Sequence, residues 1–304
     1  MNMERINEGG YTWTYCPAKG GADKAIIVSL GHSDHDRMAK GAAKYILALG
    51  CNVLAIDPTQ PCHTGCHSFP LECIEAAAKW LRQRGNTKIG MAGGSTTGML
   101  SLAAAAYVPD ISLVLAYTPC DFVMQGFFKG KKDGHIPEWP APGESTVTWR
   151  GEPVPYAPYD MSAEEYYNAT YGKAKKEHGE LHGLALFTHV ERKPLPEEVF
   201  IPVENIKGTI VVFGAEDDTL WFTAKYIRRM EGRLKEKGFS YRFEPHIYEK
   251  GTHFIFPQGM MKCILPVGSD LLSRMFVSGR TYPKECKAAR IDVDRATAEA
   301  VRRW

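Results

Sequence analysis

Residues 88–107 limit the fold of this chain most strongly, because they require a strand, a sharp turn and a helix in direct succession. They read KIGMAGGSTTGMLSLAAAAY, which is an apolar run, a glycine-flanked serine and an alanine-rich segment with high helix propensity. An abrupt turn of this kind holds its central residue in a strained conformation and exposes the side chain. Gly93 and Gly94 relieve crowding before the turn, and Gly98 allows the helix to pack closely on the sheet. We therefore predict that Ser95 is an exposed candidate nucleophile.

This segment departs at one position from the nucleophile-elbow pattern G-x-S-x-G. Thr97 occupies the place of the last glycine, and Gly98 follows one residue later. An ordinary glycine-rich turn is the alternative interpretation. The strands and helices before and after Ser95 must decide between this turn and a nucleophile elbow.

Strands and helices are predicted to alternate along most of the chain. Short apolar runs that are typical of buried strands occupy residues 25–30, 52–56, 88–94, 112–117 and 209–213. Segments with helical spacing of apolar residues separate them, and Gly50 and Gly238 follow two of these segments as C-terminal glycines. This alternation predicts an α/β protein with a mostly parallel central sheet and helices on both faces.

Residues 120–200 interrupt the alternation. They are rich in proline, glycine, aromatic and charged residues, with one amphipathic helix predicted at residues 162–178. Because this segment has too few apolar residues for a core of its own, we predict a single domain over residues 1–304 with 120–200 inserted as a cap above the active site. Phe122, Phe127 and Phe128, together with Trp221, are candidates for a substrate pocket. The aromatic residues of the insertion could equally form its own small core.

Composition excludes several functional classes. The formal net charge is +2, from 37 basic and 35 acidic residues, so a nucleic-acid partner is not expected. The first ten residues are polar and no apolar run is long enough for a membrane span, which leads us to expect a cytoplasmic protein without membrane contact. An assembly of identical chains is compatible with the sequence.

The 8 cysteines are scattered along the chain, which favours reduced thiols over a disulfide framework. Residues 61–67, PCHTGCH, could be a metal site, but no second Cys pair or histidine cluster follows them. We interpret them as a loop above the sheet and expect neither a metal nor a cofactor. The sequence HGELH at residues 178–182 lacks the H-E-x-x-H order of a zinc protease.

Ser95, Asp217 and His253 follow one another in the order Ser, Asp, His, each directly after a predicted strand. A serine that attacks an acyl group needs a histidine base and a carboxylate that orients this base. Three residues of the required types in the required order predict a catalytic triad. Two other carboxylates remain open as the acid, namely the adjacent Asp218 and Asp121, which follows another strand.

Other roles are also possible for the members of this triad. Asp217 could simply cap the next helix, and His253 could be a structural histidine. For the oxyanion, two backbone N–H donors are required. We expect one from Thr96, directly after Ser95, and the other from His32 or Ser33 in the loop after the strand at 25–30.

Five segments of the chain resemble one family of acyl-transferring enzymes. They are GGSTTG at the elbow, IPVENIKG at 201–208, FGAEDDTLW at 213–221, RLKEKG before the last strand, and GTHFI around His253. With these residues the chain, from about residue 25 onward, resembles the C-terminal catalytic domain of acyl-CoA thioesterases and bile acid-CoA:amino acid N-acyltransferases, which are relatives of dienelactone hydrolase. Longer members of that family have an N-terminal β-sandwich domain that is not among these 304 residues, which leaves a long-chain acyl-CoA substrate open.

The resemblance implies an α/β-hydrolase fold and a serine acyl hydrolase that cleaves a small-molecule acyl substrate of the CoA-thioester type. It assigns Ser95, Asp217 and His253 to the triad. Transfer of the acyl group to an amine, or hydrolysis of a carboxylic ester or dienelactone, are alternatives, and a non-catalytic binding protein is a third. Two groups of basic residues could meet CoA phosphates or could be solvated faces: Lys129, Lys131 and Lys132, and Lys225, Arg228 and Arg229.

Overall fold

The structure is a computed structural model that describes residues 2–29, 37–57, 67–129, 137–170 and 173–304. The described strands are β1 (Glu4–Glu8), β2 (Tyr11–Cys16), β3 (Lys24–Ser29), β4 (Asn52–Ile56), β5 (Phe69–Pro70), β6 (Lys88–Gly94), β7 (Ile111–Tyr117), β8 (Phe128–Lys129), β9 (Pro137–Glu138), β10 (Val147–Trp149), β11 (Glu152–Pro153), β12 (Thr209–Ala215) and β13 (Phe243–Tyr248).

The described helices are α1 (Arg37–Ala48), α2 (Glu72–Gln83), α3 (Thr96–Tyr107), α4 (Ala163–Thr170), α5 (Lys173–His178), α6 (Leu184–Val190), α7 (Thr223–Glu236), α8 (Gln258–Ile264), α9 (Val277–Thr281) and α10 (Pro283–Arg303). No helix in the described ranges combines the length and the apolar character that crossing a membrane requires.

Eight strands form the central sheet in the order β1-β2-β4-β3-β6-β7-β12-β13. The pairs from β4 to β13 are parallel, whereas β1 and β2 are antiparallel to their neighbours. The predicted mostly parallel sheet is therefore confirmed. Because parallel strands end at one edge, the residues that follow β6, β12 and β13 lie on the same side of the sheet.

Helices cover both faces of this sheet, as the strand pattern requires. Side chains of β3 alternate between two apolar clusters, with Ile27 in one and Ile26 in the other. The first cluster includes residues of α2, α3 and α7, and the second includes residues of α1, α8 and α10. Both faces of the central strands are consequently buried, which explains their continuous apolar runs.

The insertion leaves the sheet after β7 and returns at β12, two strands that are neighbours. It contains β8 to β11 and α4 to α6, and β10 joins β5 in a separate three-stranded sheet. A β-bridge between Phe122 and Phe200 brings the two ends of the insertion together. Within the predicted helix at 162–178, α4 and α5 occupy residues 163–170 and 173–178, and residues 171–172 lie outside the described residues.

Candidate active site

Ser95 lies in the turn between β6 and α3, with φ 56° and ψ −127°. This conformation is rare for a residue with a side chain, and it is the elbow geometry that the sequence predicted. A Cβ at Gly93 would lie 2.1 Å from the carbonyl oxygen of Thr97, and one at Gly98 would lie 2.9 Å from that of Tyr117. The helix can therefore lie this close to the sheet only because both positions are glycine.

Thr97, the departure from the G-x-S-x-G pattern, closes the elbow by hydrogen bonds. Its Oγ1 accepts the N–H of Gly94 at 3.0 Å and lies 2.9 Å from the Gly94 carbonyl oxygen, to which it donates. The threonine thus bridges the last residue of the strand and the first turn of the helix. The departure does not prevent α3 from starting at Thr96.

His253 follows β13 and reaches back to Ser95. Its Nε2 lies 2.9 Å from Ser95 Oγ, which identifies Nε2 as the acceptor when the hydroxyl donates. The residue is only 3% exposed, and the ring of Trp221 contacts it edge-on at a centroid separation of 5.4 Å. A buried imidazole with both nitrogens hydrogen-bonded has a fixed orientation and a fixed tautomer.

The carboxylate beside His253 is Asp218 and not Asp217, so the predicted partner of the histidine is wrong by one residue. Oδ2 of Asp218 lies 2.8 Å from Nδ1 of His253. Asp217 instead accepts the backbone N–H groups of Gly251 and Thr252 through Oδ1, each at 2.9 Å. The cause is the turn after β12, which directs the two consecutive side chains to different partners.

Asp218 is held by three further hydrogen bonds. Oδ1 accepts the backbone N–H groups of Leu220 and Trp221 at 2.8 and 3.1 Å, and Oδ2 accepts the hydroxyl of Thr223 at 3.0 Å. An aspartate that accepts the N–H groups of residues two and three positions ahead forms an Asx-type turn. These bonds fix both carboxylate oxygens independently of the contact with His253.

Asp121, the other carboxylate considered from the sequence, lies elsewhere. Its oxygens contact Nε and Nη2 of Arg229 at 2.5 and 2.6 Å, a bidentate ion pair. Burial raises the pKa of this carboxyl, and the Arg229 guanidinium opposes that rise. Asp121 therefore connects the start of the insertion to α7 and is not a partner of His253.

Of the predicted oxyanion donors, Thr96 is the first residue of α3. The N–H groups of the first helical turn have no partner within the helix, so the Thr96 N–H is free of intrahelical bonding beside Ser95. His32 and Ser33 lie outside the described residues.

The predicted pocket residues have different environments. Phe122 is fully buried, with its ring against Phe187 and Tyr226, and therefore belongs to the core of the described structure. Phe127 is half-buried, and the side chain of Phe128 lies outside the described residues. Trp221 alone among these residues contacts His253 in the described structure.

An open pocket of about 750 Å³ lies between the insertion and Phe222, and Ser95 is not among its lining residues. Among the described residues, it is lined in part by Asn168, His178, His182, Leu184, His189 and Phe222. Burial lowers the pKa of His182, and the neighbouring His178, whose ring stacks on it at 4.7 Å, lowers it further. No group of three His, Cys, Asp or Glu side chains within the described part of the chain could hold a metal ion, and residues 58–66 of the Cys/His segment are outside that part.

The basic residues of α7 already have acidic partners. Lys225 pairs with Glu191, Arg228 with Glu216, and Arg229 with both Asp121 and Glu191. These cations are consequently not a free phosphate-binding face. Of the other group, Lys131 and Lys132 lie outside the described residues.

Sequence reasoning did not identify Thr223 or Ser278 as members of the site. Thr223 donates to Asp218, and Ser278 donates its hydroxyl to Oδ2 of Asp217. Thr223 lies five residues after Asp218, at the first position of α7, which is the available sequence signal. Ser278 had no such signal, because it reaches the site from a distant part of the chain.

The structure is similar to solved structures of other proteins. An esterase from Pyrococcus furiosus, Pf2001, is 14% identical, with a TM-score of 0.50 over 100% of this chain and 91% of that one. An α/β hydrolase from a Medee basin deep-sea metagenome, MGS-M1, is 14% identical, with a TM-score of 0.47 over 99% and 98% of the two chains. Est1E from Butyrivibrio proteoclasticus is 13% identical, with a TM-score of 0.43 over 99% of each chain. At 14% identity the likeness to Pf2001 concerns the fold alone, which is that of an α/β hydrolase.

No curated protein sequence matches the chain at a significant level. The family model described as BAAT / Acyl-CoA thioester hydrolase C terminal matches residues 69–285. This match includes Ser95, Asp218 and His253, and it extends over more than two thirds of the 304 residues. The chain therefore belongs to the BAAT / acyl-CoA thioester hydrolase C-terminal family.

Proposed function

We propose that the protein is a serine acyl hydrolase that cleaves acyl thioesters of the CoA type through an acyl-enzyme on Ser95. The observation that carries this proposal is the continuous hydrogen-bonded series Asp218, His253 and Ser95 at a strand-to-helix elbow. This is the arrangement that activates a serine hydroxyl for attack on a carbonyl carbon. Family membership supports the thioester as the substrate class.

In the first half-reaction, Ser95 Oγ attacks the thioester carbonyl carbon and its proton passes to Nε2 of His253. Asp218 keeps the proton on Nδ1 and stabilises the imidazolium that forms. The negative charge on the carbonyl oxygen develops beside the N–H of Thr96, where the N-terminus of α3 adds a favourable dipole. Collapse of this intermediate breaks the C–S bond, and the thiolate takes the proton from Nε2. The acyl group remains on Oγ.

In the second half-reaction, water replaces the thiol. His253 accepts a proton from water as the water oxygen attacks the acyl carbon, and it returns this proton to Oγ when the ester bond breaks. The products are a carboxylic acid and free Ser95. An amine in place of water would make the same acyl-enzyme a transferase, and an ester in place of the thioester would make it an esterase.

Turnover measurements on the purified protein distinguish these outcomes. A panel of acyl-CoAs and aryl esters is offered to the wild type, to Ser95→Ala and to Ser240→Ala, whose exposed serine lies between α7 and β13 and serves as the matched control. We expect thioester hydrolysis that falls by about 10⁶ in kcat for Ser95→Ala and is unchanged for Ser240→Ala. Hydrolysis of esters alone, or product that requires an added amino acid, would contradict the thioester-hydrolase proposal. Equal turnover by Ser95→Ala would contradict the serine mechanism.

A further inference from the structure

Asp217 accepts two hydrogen bonds from the loop that carries His253 and a third from α9. Oδ1 accepts the N–H groups of Gly251 and Thr252, each at 2.9 Å, and Oδ2 accepts the hydroxyl of Ser278. A carboxylate oxygen has two lone pairs, so one oxygen can hold two consecutive N–H groups. Asp217, the neighbour of Asp218, therefore fixes Thr252, the residue directly before His253.

The loop needs such a partner because its backbone is strained. Thr252 has φ +60° and is fully buried, and a β-branched residue in the left-handed region is unfavourable unless its surroundings hold it there. Its hydroxyl accepts the N–H of Phe254 at 3.2 Å, which ties the residues on both sides of His253 together. Asp217 lies outside this loop, and its hydrogen bonds to Gly251 and Thr252 favour the strained turn.

Tight packing leaves little room for the loop to shift without moving the imidazole. A Cβ at Gly251 would lie 2.5 Å from Cδ1 of Ile255, so the backbone here lies directly against the core. The Nε2 of His253 must stay within hydrogen-bond reach of Ser95 Oγ, at 2.9 Å in this structure. A displacement of about 1 Å in a reacting group can lower a rate about 100-fold.

Ser278 extends the same contact to the C-terminal part of the chain. It lies in α9, where the neighbouring Val277 donates its N–H to the buried Glu180 of the insertion at 2.5 Å. Arg280 donates to the carbonyl of Gly179 at 2.8 Å. Asp217 thus lies where the histidine loop, α9 and the insertion meet.

We propose that Asp217 is a positioning residue, which holds the strained Gly251–Thr252 turn so that His253 faces Ser95. The inference rests on the proposed function insofar as His253 transfers a proton. Its physical content, the restraint of the loop by a carboxylate, is independent of the substrate.

Two substitutions at Asp217 separate positioning from membership of the triad. Asp217→Ala removes the acceptor for both N–H groups, so kcat should fall about 10- to 100-fold with KM nearly unchanged. Asp217→Asn keeps an amide oxygen for the two N–H groups and an NH₂ group that can donate to the Ser278 hydroxyl, so kcat should stay within about threefold of the wild type. A loss in Asp217→Asn as large as that in Asp218→Asn would assign Asp217 to the triad and overturn the proposal. An unchanged kcat in Asp217→Ala would also overturn it.

Amide hydrogen exchange tests the restraint without any substrate. In Asp217→Ala the amides of Gly251 and Thr252 should exchange at least about tenfold faster than in the wild type, whereas those of β6 should not change. Asp217→Asn and Ser278→Ala both keep the Oδ1 acceptor, so the amides of Gly251 and Thr252 should exchange as slowly in these variants as in the wild type. These two variants can still be measured if Asp217→Ala does not fold. Unchanged exchange in Asp217→Ala, or faster exchange throughout the chain, would contradict a local positioning role. If exchange behaves as expected but no variant or wild type hydrolyses an acyl substrate, the proposed function fails and the restraint stands.

Discussion

Oδ2 of Asp218 lies 2.8 Å from Nδ1 of His253, while the carboxylate of the preceding residue, Asp217, faces the backbone of the histidine loop. Two adjacent aspartates thereby act on the same histidine in different ways. One contacts the ring and the other holds the loop that carries it. This division of roles follows from the turn after β12, which gives consecutive side chains different directions.

The first prediction concerns the ring contact. Asp218→Asn should lower kcat by about 10⁴, because an amide NH₂ group facing Nδ1 favours the wrong tautomer of His253. Steady-state kinetics on an acyl-CoA would measure this loss. Asp160→Asn, at an exposed carboxylate that pairs with Arg192, is the matched control and should leave kcat unchanged. A kcat within tenfold of the wild type in Asp218→Asn would show that another group orients the histidine.

The second prediction concerns the elbow. Gly93→Ala would place a Cβ 2.1 Å from the carbonyl oxygen of Thr97, a backbone atom that cannot move without displacing α3. We expect a loss of about 3 kcal/mol in the free energy of unfolding, measured by urea denaturation. Gly232→Ala is the control, because Gly232 lies inside α7 with no atom within 4 Å of its Cβ position. That substitution should stabilise the protein by about 0.5 to 1 kcal/mol.

The third prediction concerns the attachment of the insertion to α7. Arg229→Ala would leave the buried Asp121 without its bidentate partner, which should cost about 3 to 5 kcal/mol of unfolding free energy. Arg228→Ala removes only an exposed ion pair with Glu216 and should have little effect. Thermal unfolding of the two variants provides the comparison. Equal melting temperatures would contradict a structural role for the buried pair.

The fourth prediction concerns stability at acidic pH. Burial of His246 against Phe213 lowers its pKa below the ordinary value of 6.5; Arg303 and Arg295 lower it further, and Glu244 and Asp292 oppose this. Well above pH 6.5 the ring is neutral in both the folded and the unfolded state and contributes no pH dependence. As the pH falls below that value, the unfolded chain binds the proton first, so stability is lost until the folded state also becomes protonated.

The variant His246→Phe removes this titration and keeps an aromatic ring on Phe213. Its unfolding free energy should therefore decrease less than that of the wild type between about pH 7 and pH 5. Urea denaturation at several pH values measures both curves. If the unfolding free energies of the wild type and the variant fall in parallel over this pH range, the loss of stability does not come from His246.

Much of the fold could be predicted because hydrophobic periodicity reports burial. The runs at 52–56 and 88–94 coincide with β4 and β6, and Gly50 and Gly238 have the positive φ that a glycine after a helix commonly adopts. The strand β1 was not predicted. Its burial pattern has one buried residue, Ile6, between exposed ones, which leaves little periodic signal at this edge of the sheet.

The sequence predicts which strand ends carry the site, but not every side chain that forms it. Ser95 and His253 follow from their places after β6 and β13, because the ends of parallel strands meet at one edge. The choice between Asp217 and Asp218 depends on the dihedral angles of a short turn, and two identical adjacent residues carry no information about them. Contacts such as Ser278 to Asp217, between residues 61 positions apart, depend on packing that no local pattern contains.

Covalent labelling of the nucleophile tests the central claim most directly. The protein is treated with a fluorophosphonate, with and without an acyl-CoA, and the modified peptide is identified by mass spectrometry. The Ser95–His253–Asp218 arrangement predicts a single adduct on Ser95, slower labelling when the acyl-CoA is present, and no adduct in Ser95→Ala. An unlabelled Ser95 in folded protein, or an adduct on another residue that persists in Ser95→Ala, would contradict it.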